Sequence, residues 1–282
     1  MQARGKPGPL VSKGSRRPFE VSVACWMDLL GYGSMIAEAG FNPLHRAASR
    51  AVRRLRRFHE IIASHSDRHY PTLVMNDGAA TYRDLSFRGP GPTYDFLLRS
   101  WELFESIRRE EISQGYPGVR LVLATGFRVR GRRAGMDATS GHFKSILLRY
   151  QNKRLTAHQA MQEAARVRQH FDIVPQLQAN FAFSRAYAAE SQGKAGGLAG
   201  AQFFVDLTLF ETPTPIWVKL GERIKWSNDQ LRMQISFAPL LAINTPDNRE
   251  SIPPGIRTAL QVAQELSQDT NVLNLLRRAD EN

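Results

Sequence analysis

Cysteine is nearly absent: the single Cys25 in 282 residues excludes an intrachain disulfide and any cysteine-rich zinc site, and it fits a reducing cytoplasm. Long apolar runs are missing as well. The stretch 237–243 falls well short of the roughly 18 residues that suggest a membrane span. The basic, Gly/Pro/Ser-rich segment 1–17 is followed by no apolar stretch, so export is not expected. No serine-hydrolase elbow and no Walker-type phosphate loop occurs. No repeat of 20–50 residues is visible, which excludes solenoids and propellers. His59, His65, His69 and His142 lack a clean metal-ligand spacing.

Acid is in short supply, with 26 Asp and Glu against 38 Lys and Arg, a formal charge of +12. The excess is clustered. Residues 1–17 carry +5, residues 44–69 carry +5 through Arg46, Arg50, Arg53, Arg54, Arg56, Arg57 and Arg68 against two acids, and residues 128–154 carry +7. Such a field attracts polyanions: nucleoside triphosphates, nucleic acid or acidic headgroups. The 42% hydrophobic content is enough for a core in one large or two small domains.

Val21, Val23 and Cys25 alternate with small or polar residues, which predicts a strand over 19–29. Pro43 opens a predicted helix with apolar Leu44, Ala47, Ala48, Ala51, Val52, Leu55, Phe58 and Ile62. Arg46, Arg50, Arg53 and Arg57 line its other face. That face binds polyanion or is simply solvated and paired with the acids of 102–111. Residues 72–82 read as a hairpin around Asn76, Asp77 and Gly78, residues 94–112 as a helix, and 119–130 as a strand passing Gly126. Strand, helix, hairpin, helix, strand predicts an α+β fold: a ferredoxin-like or palm antiparallel sheet with helices on one face. Further on, 155–171 and 176–191 look helical, 202–210, 216–220 and 232–237 look extended, and 256–276 has helical spacing. The expected layout is a basic flexible tail (1–18), a palm domain (19–240) with a helical insertion at about 134–200, and a C-terminal helical cap (241–282).

The acids at strand ends carry the chemistry. Asp28 closes the first strand and precedes Leu29, Leu30, Gly31, Tyr32 and Gly33, a turn whose backbone N–H groups can face phosphate oxygens. Asp77 sits at the hairpin tip, and the predicted topology lays the hairpin beside the first strand. Two carboxylates plus phosphates suit Mg²⁺ or Mn²⁺, which would activate an attacking hydroxyl and neutralise leaving pyrophosphate. Either acid taken alone also reads as an ordinary turn residue or helix cap.

The segment Trp26, Met27, Asp28, Leu29, Leu30, Gly31, Tyr32 resembles the first metal-binding segment of class III nucleotidyl cyclase catalytic domains. Leu73, Val74, Met75, Asn76, Asp77, Gly78 resembles that family's second metal-binding hairpin, and 119–126 its following strand. The likeness covers 20–130, more weakly 180–210, and lies nearest uncharacterised bacterial cyclase-like proteins. It implies conversion of a nucleoside triphosphate to a cyclic nucleotide for signalling, by a cytoplasmic homodimer whose base pocket is completed by the partner chain. Asp28 and Asp77 would hold the metal, with Leu29, Gly31, Tyr32, Gly33 and Arg120 contacting nucleotide. Asn180 and Arg185 would act on ribose and triphosphate, although their spacing of five departs from the family's four. The family's base-reading lysine falls on an apolar position, around Leu73. The competing reading is a catalytically degenerate module that binds nucleotide, or binds nucleic acid through Arg46, Arg50, Arg53 and Arg57.

Overall fold

Strand β1 (Phe19–Leu29) is buried along almost its whole length, on both faces. Val21, Val23, Cys25, Met27 and Leu29 enter one core, while Ala24 and Trp26, in the opposite phase, face a second cluster. A central strand buried on both sides needs cover on both sides, and this decides the layering. The computed structural model describes residues 18–130, 138–167, 174, 176–244 and 252–278. Residues 1–17 of the expected tail (1–18) lie outside them, as do residues 131–133 and parts of the expected insertion (134–137, 168–173 and 175) and cap (245–251 and 279–282).

The elements after β1 are α1 (Tyr32–Glu38), α2 (Arg46–His65), β2 (Thr72–Met75), β3 (Gly78–Asp84), α3 (Gly91–Ser113), β4 (Val119–Val129), α4 (Ala138–Gln151), α5 (Ala157–Arg166), α6 (Phe181–Gln192), β5 (Phe203–Asp206), β6 (Val218–Leu220), β7 (Ile224–Asn228), β8 (Met233–Ile243), α7 (Ala259–Leu266) and α8 (Thr270–Arg278). The strand order is β2-β3-β1-β4-β5-β8-β6, with β7 paired to β8. Among the described residues β4 and β5 run parallel and the other paired strands antiparallel. This is the expected α+β architecture in its expected opening order.

The expectation of helices on one face is corrected. Residues of α2, α3 and α7 fill the core under Val21, Cys25 and Met27, whereas α6 covers Trp26, Val122 and Ala124 on the other face. The sequence pattern also differs in detail. Helix α2 begins at Arg46, capped by His45, whose Nδ1 accepts the Ala47 N–H at 3.1 Å. Pro43 therefore precedes the helix, and Leu44 and Val52, expected on its apolar face, are exposed. The stretch read as one helix over 256–276 is two, separated at Ser267. Strand β7 carried no separate sequence signal.

Helix α6 lies against the sheet because its contact stripe is small. Ala182, Ala186 and Ala189 recur at four and three, and all three are fully buried. Opposite them stands Gly126, where an added Cβ would sit 2.4 Å from the Ala182 backbone nitrogen. Gly126→Ala must therefore push α6 off β4. We expect it to cost about 1–3 kcal/mol in urea unfolding, and a change below about 0.5 kcal/mol would contradict this packing.

Candidate active site

Asp28 and Asp77 converge through strand register. Asp28 on β1 stands opposite Gly78 on β3, and the Leu29 N–H donates to the Asp77 carbonyl at 3.0 Å. Asp77 occupies the two-residue loop between Met75 and Gly78, where Asn76 takes a left-handed φ of 55°. The Asn76 amide donates to the Asp77 carboxylate at 3.0 Å. Gly78 is needed for clearance: an added Cβ would lie 2.5 Å from the Trp26 ring. The hairpin can thus close over Trp26 and bring its acid beside Asp28.

On its other side Asp28 faces Arg120, its Cα partner on β4. Arg120 donates to the Glu190 carboxylate of α6 at 3.0 Å, with the two side chains 12% and 9% exposed. Burial, then the negative charges of Glu190 and Asp77, push the Asp28 carboxyl up to about 7, against the opposing pull of Arg120 and Arg54. Burial also raises Glu190, which Arg120 and Trp26 partly offset. Tyr32, buried beside the turn, is raised by burial and by Asp77. The end of β1 thus gathers three carboxylates, Asp28, Asp77 and Glu190, whose charges Arg120 and Arg54 only partly neutralise.

The turn after Asp28 is held from below. Gly31 adopts φ 75° at the start of α1, a conformation a side chain would strain. Leu30 donates its N–H to the Gly118 carbonyl at 2.9 Å. The Arg54 guanidinium reaches the Leu30 carbonyl at 2.9 Å and the Gly118 carbonyl at 3.4 Å, while pairing bidentately with Glu111 at 3.1 and 2.5 Å. Glu111 accepts the Gly118 N–H at 3.2 Å. The two charged side chains are 1% and 4% exposed, and Tyr116 lies 4.7 Å from the guanidinium carbon. Leu29 and Tyr32 are buried at this junction, whereas Gly31 and Gly33 are exposed.

The structure does not bring Asn180 and Arg185 to these carboxylates within the chain. Asn180 is 1% exposed and caps α6: its Oδ1 accepts the Phe183 N–H at 3.1 Å and its amide donates to the Gln176 carbonyl at 3.0 Å. It bridges to Arg128, eight residues along β4 from Arg120, or about 26 Å of strand. Arg185 lies 3.8 Å from Asp206, whose carboxylate is held by the Thr125 N–H and hydroxyl at 3.0 and 2.7 Å. It lines a separate cavity of about 700 Å³ with Thr208, Arg223, Arg232 and Arg257.

On α2, Arg50 pairs with Glu38 and Arg57 with Glu60 and Glu110; Arg46 and Arg53 are exposed. Among the described residues no group of three or more His, Cys, Asp or Glu side chains is arranged to hold a metal ion. Two carboxylates, those of Asp28 and Asp77, are the kind of donor that suits Mg²⁺ or Mn²⁺ when phosphate oxygens complete the shell.

A mixed sheet covered on both faces, with acids at the end of β1 and in the adjoining hairpin, defines a palm-type α+β domain. Its fold is that of nucleotidyl cyclase catalytic domains. The guanylyl cyclase Cya2 structure superposes with a TM-score of 0.50 at 14% identity, over 82% of this chain and 96% of that one. The adenylyl cyclase CyaB from P. aeruginosa gives 0.44 at 9% identity over 83% and 98%. The guanylate cyclase domain of RhGC from Catenaria anguillulae, solved in complex with GTP, gives 0.42 at 8% over 79% and 97%. No family model matches the chain, and no curated protein matches it. No described helix is long and apolar enough to cross a membrane.

Proposed function

We propose that the chain binds a nucleoside triphosphate with Mg²⁺ or Mn²⁺ at Asp28 and Asp77 and cyclises it in a signalling role. The observation that carries this reading is the convergence of the two acids at one strand end, where burial, and then the charges of Glu190 and Asp77, raise Asp28 to about 7. The bound cation would polarise the attacking hydroxyl and screen the leaving group. Asp28 and Asp77 supply its ligands, while Gly31 and Gly33 leave the adjoining backbone open to phosphate. In the reaction the ribose hydroxyl oxygen bonds to the α-phosphorus, the bond to pyrophosphate breaks, and the hydroxyl proton passes to water.

A homodimer would let Arg185 of a second copy reach the triphosphate, since Arg185 is remote from Asp28 in its own chain. The second reading, a module that binds nucleotide without turnover, is favoured by the commitment of Asn180 to capping α6. Incubation with each nucleoside triphosphate and Mn²⁺ separates the two. Cyclic product is expected from the wild type, with a loss of at least about 100-fold in Asp28→Asn and Asp77→Asn. Mixing Asp28→Asn with Arg185→Ala should restore part of it. Bound nucleotide without product favours the second reading; product unaffected by either Asn variant removes the site.

A further inference from the structure

The helical hairpin of α4 and α5, between β4 and α6, carries its apolar side chains on the outside. Where α4 meets α5 the contact is largely polar: Arg149 pairs with Glu163, and His142, Ser145 and Arg166 join them around Ile146 and Val167 in a cleft of about 430 Å³. Phe143, Leu147 and Tyr150 recur at four and three, which puts them on one face. They and Leu148 beside them are 43–57% exposed. A helix surrounded by water turns such a stripe toward its neighbour. Here the stripe faces away from it.

The same surface is basic. Lys144 adjoins Phe143 and stands one turn before Leu148. Lys153 and Arg154 follow at the turn, where Lys153 takes a left-handed φ of 55° and Thr156 opens α5 by accepting the Gln159 N–H at 3.2 Å. All three cations are exposed. Over 138–167 they stand with Arg149 and Arg166 against the single acid Glu163, a net +4. Charge and apolarity together choose the occupant. A second copy would press one cationic hairpin against another, and like charges repel. A nucleic-acid backbone answers the charge but offers no cover to Phe143, Leu147 and Leu148. A lipid surface with anionic headgroups answers both, because apolar side chains enter the acyl boundary while Lys and Arg extend to the phosphates.

We propose that the α4–α5 hairpin docks the protein on an anionic membrane surface, with Phe143, Leu147 and Leu148 at the acyl boundary and Lys144, Lys153 and Arg154 at the headgroup phosphates. Helix α4 lies on the bilayer and does not cross it, since its 14 residues fall short of the roughly 20 that a span needs. Docking of this kind does not depend on what Asp28 and Asp77 bind.

Co-sedimentation of the full chain with lipid vesicles tests it. Phosphatidylcholine vesicles in which about a third of the lipid is phosphatidylglycerol should bind the wild type at least about 10-fold tighter than phosphatidylcholine alone. Phe143→Ser/Leu147→Ser keeps every charge and should weaken that binding at least about 10-fold, with the urea midpoint unchanged because both side chains are exposed. Lys144→Gln/Lys153→Gln should weaken it by a similar factor and flatten its dependence on salt. Failure of the wild type to bind anionic vesicles overturns membrane docking. So does binding that Phe143→Ser/Leu147→Ser leaves intact, because basic residues elsewhere in the chain would then account for it. Should that change instead turn a dimer into a monomer in sedimentation equilibrium, with vesicle binding untouched, the stripe covers a second copy and docking is refuted. Loss of single-stranded RNA binding in the same variant, from a wild type that ignores vesicles, refutes it equally.

Discussion

Asn in place of Asp28 is expected to make the ligand-free protein more stable while removing its divalent-cation affinity. The Asp28 carboxyl stands at about 7 in the folded chain, against about 3.9 when unfolded. A raised carboxyl contributes stability that is fully present below the unfolded value and is lost as pH rises through the folded one. The wild type therefore loses stability between about pH 4 and pH 7, where the charge is forced on a partly buried side chain beside Glu190 and Asp77. Asn has no charge to lose. Discounted for the solvent that reaches this half-buried group, the gain for Asp28→Asn at pH 8 is about 1–2 kcal/mol, or a Tm higher by about 2–5 °C. The gap should shrink toward pH 4. Saturating Mn²⁺ with nucleotide should reverse it, because only the wild type gains binding energy. A Tm below wild type at every pH would show that Asp28 is a structural partner and not a restrained ligand.

The second large effect concerns the floor of the site. Arg54→Met leaves Glu111, 4% exposed, as an uncompensated buried charge and frees the Leu30 and Gly118 carbonyls. Breaking such a pair from one side costs about 3–5 kcal/mol, and Glu111→Gln should cost a comparable amount. The double variant Arg54→Met/Glu111→Leu removes both charges and should recover at least about 2 kcal/mol relative to the sum of the single changes. It should not recover nucleotide affinity to the same degree, because the Leu30 carbonyl still lacks the guanidinium that anchors the turn after Asp28. Urea unfolding of the four proteins measures the coupling. Single variants that cost under 1 kcal/mol would mean that the pair is solvated.

How much of this was readable from residues alone depends on range. The order β1, α2, β2–β3, α3, β4 follows from periodicity and turn chemistry within short windows. Asp28 and Asp77 follow from it because they end those elements. The second helical layer was hidden in β1 itself. Ser22 and Ala24 made one phase of the strand look polar or small, but Trp26 in that same phase is a large ring that needs cover, and α6 supplies it. Arg54 sits in a run with Arg53, Arg56 and Arg57, and only its position over Glu111, 57 residues away, separates a buried anchor from a solvated neighbour. Glu190 has no local motif either; it joins the site because α6 runs back along β4 toward Arg120. Asn180 shows the limit of residue type: a polar residue before an apolar helical run is equally an N-cap, and within the chain its Oδ1 accepts the Phe183 N–H at the start of α6.

The central claim, that Asp28 and Asp77 share one divalent cation with a triphosphate, is tested most directly by electron paramagnetic resonance of Mn²⁺. The free-ion signal would be titrated with the wild type, Asp28→Asn and Asp77→Asn in the presence of a non-hydrolysable nucleoside triphosphate. The wild type is predicted to remove free Mn²⁺ stoichiometrically, more tightly at pH 8 than at pH 6, and each single variant to weaken this by at least about 10-fold. Equal uptake by all three proteins, or uptake that one variant alone abolishes, would contradict it.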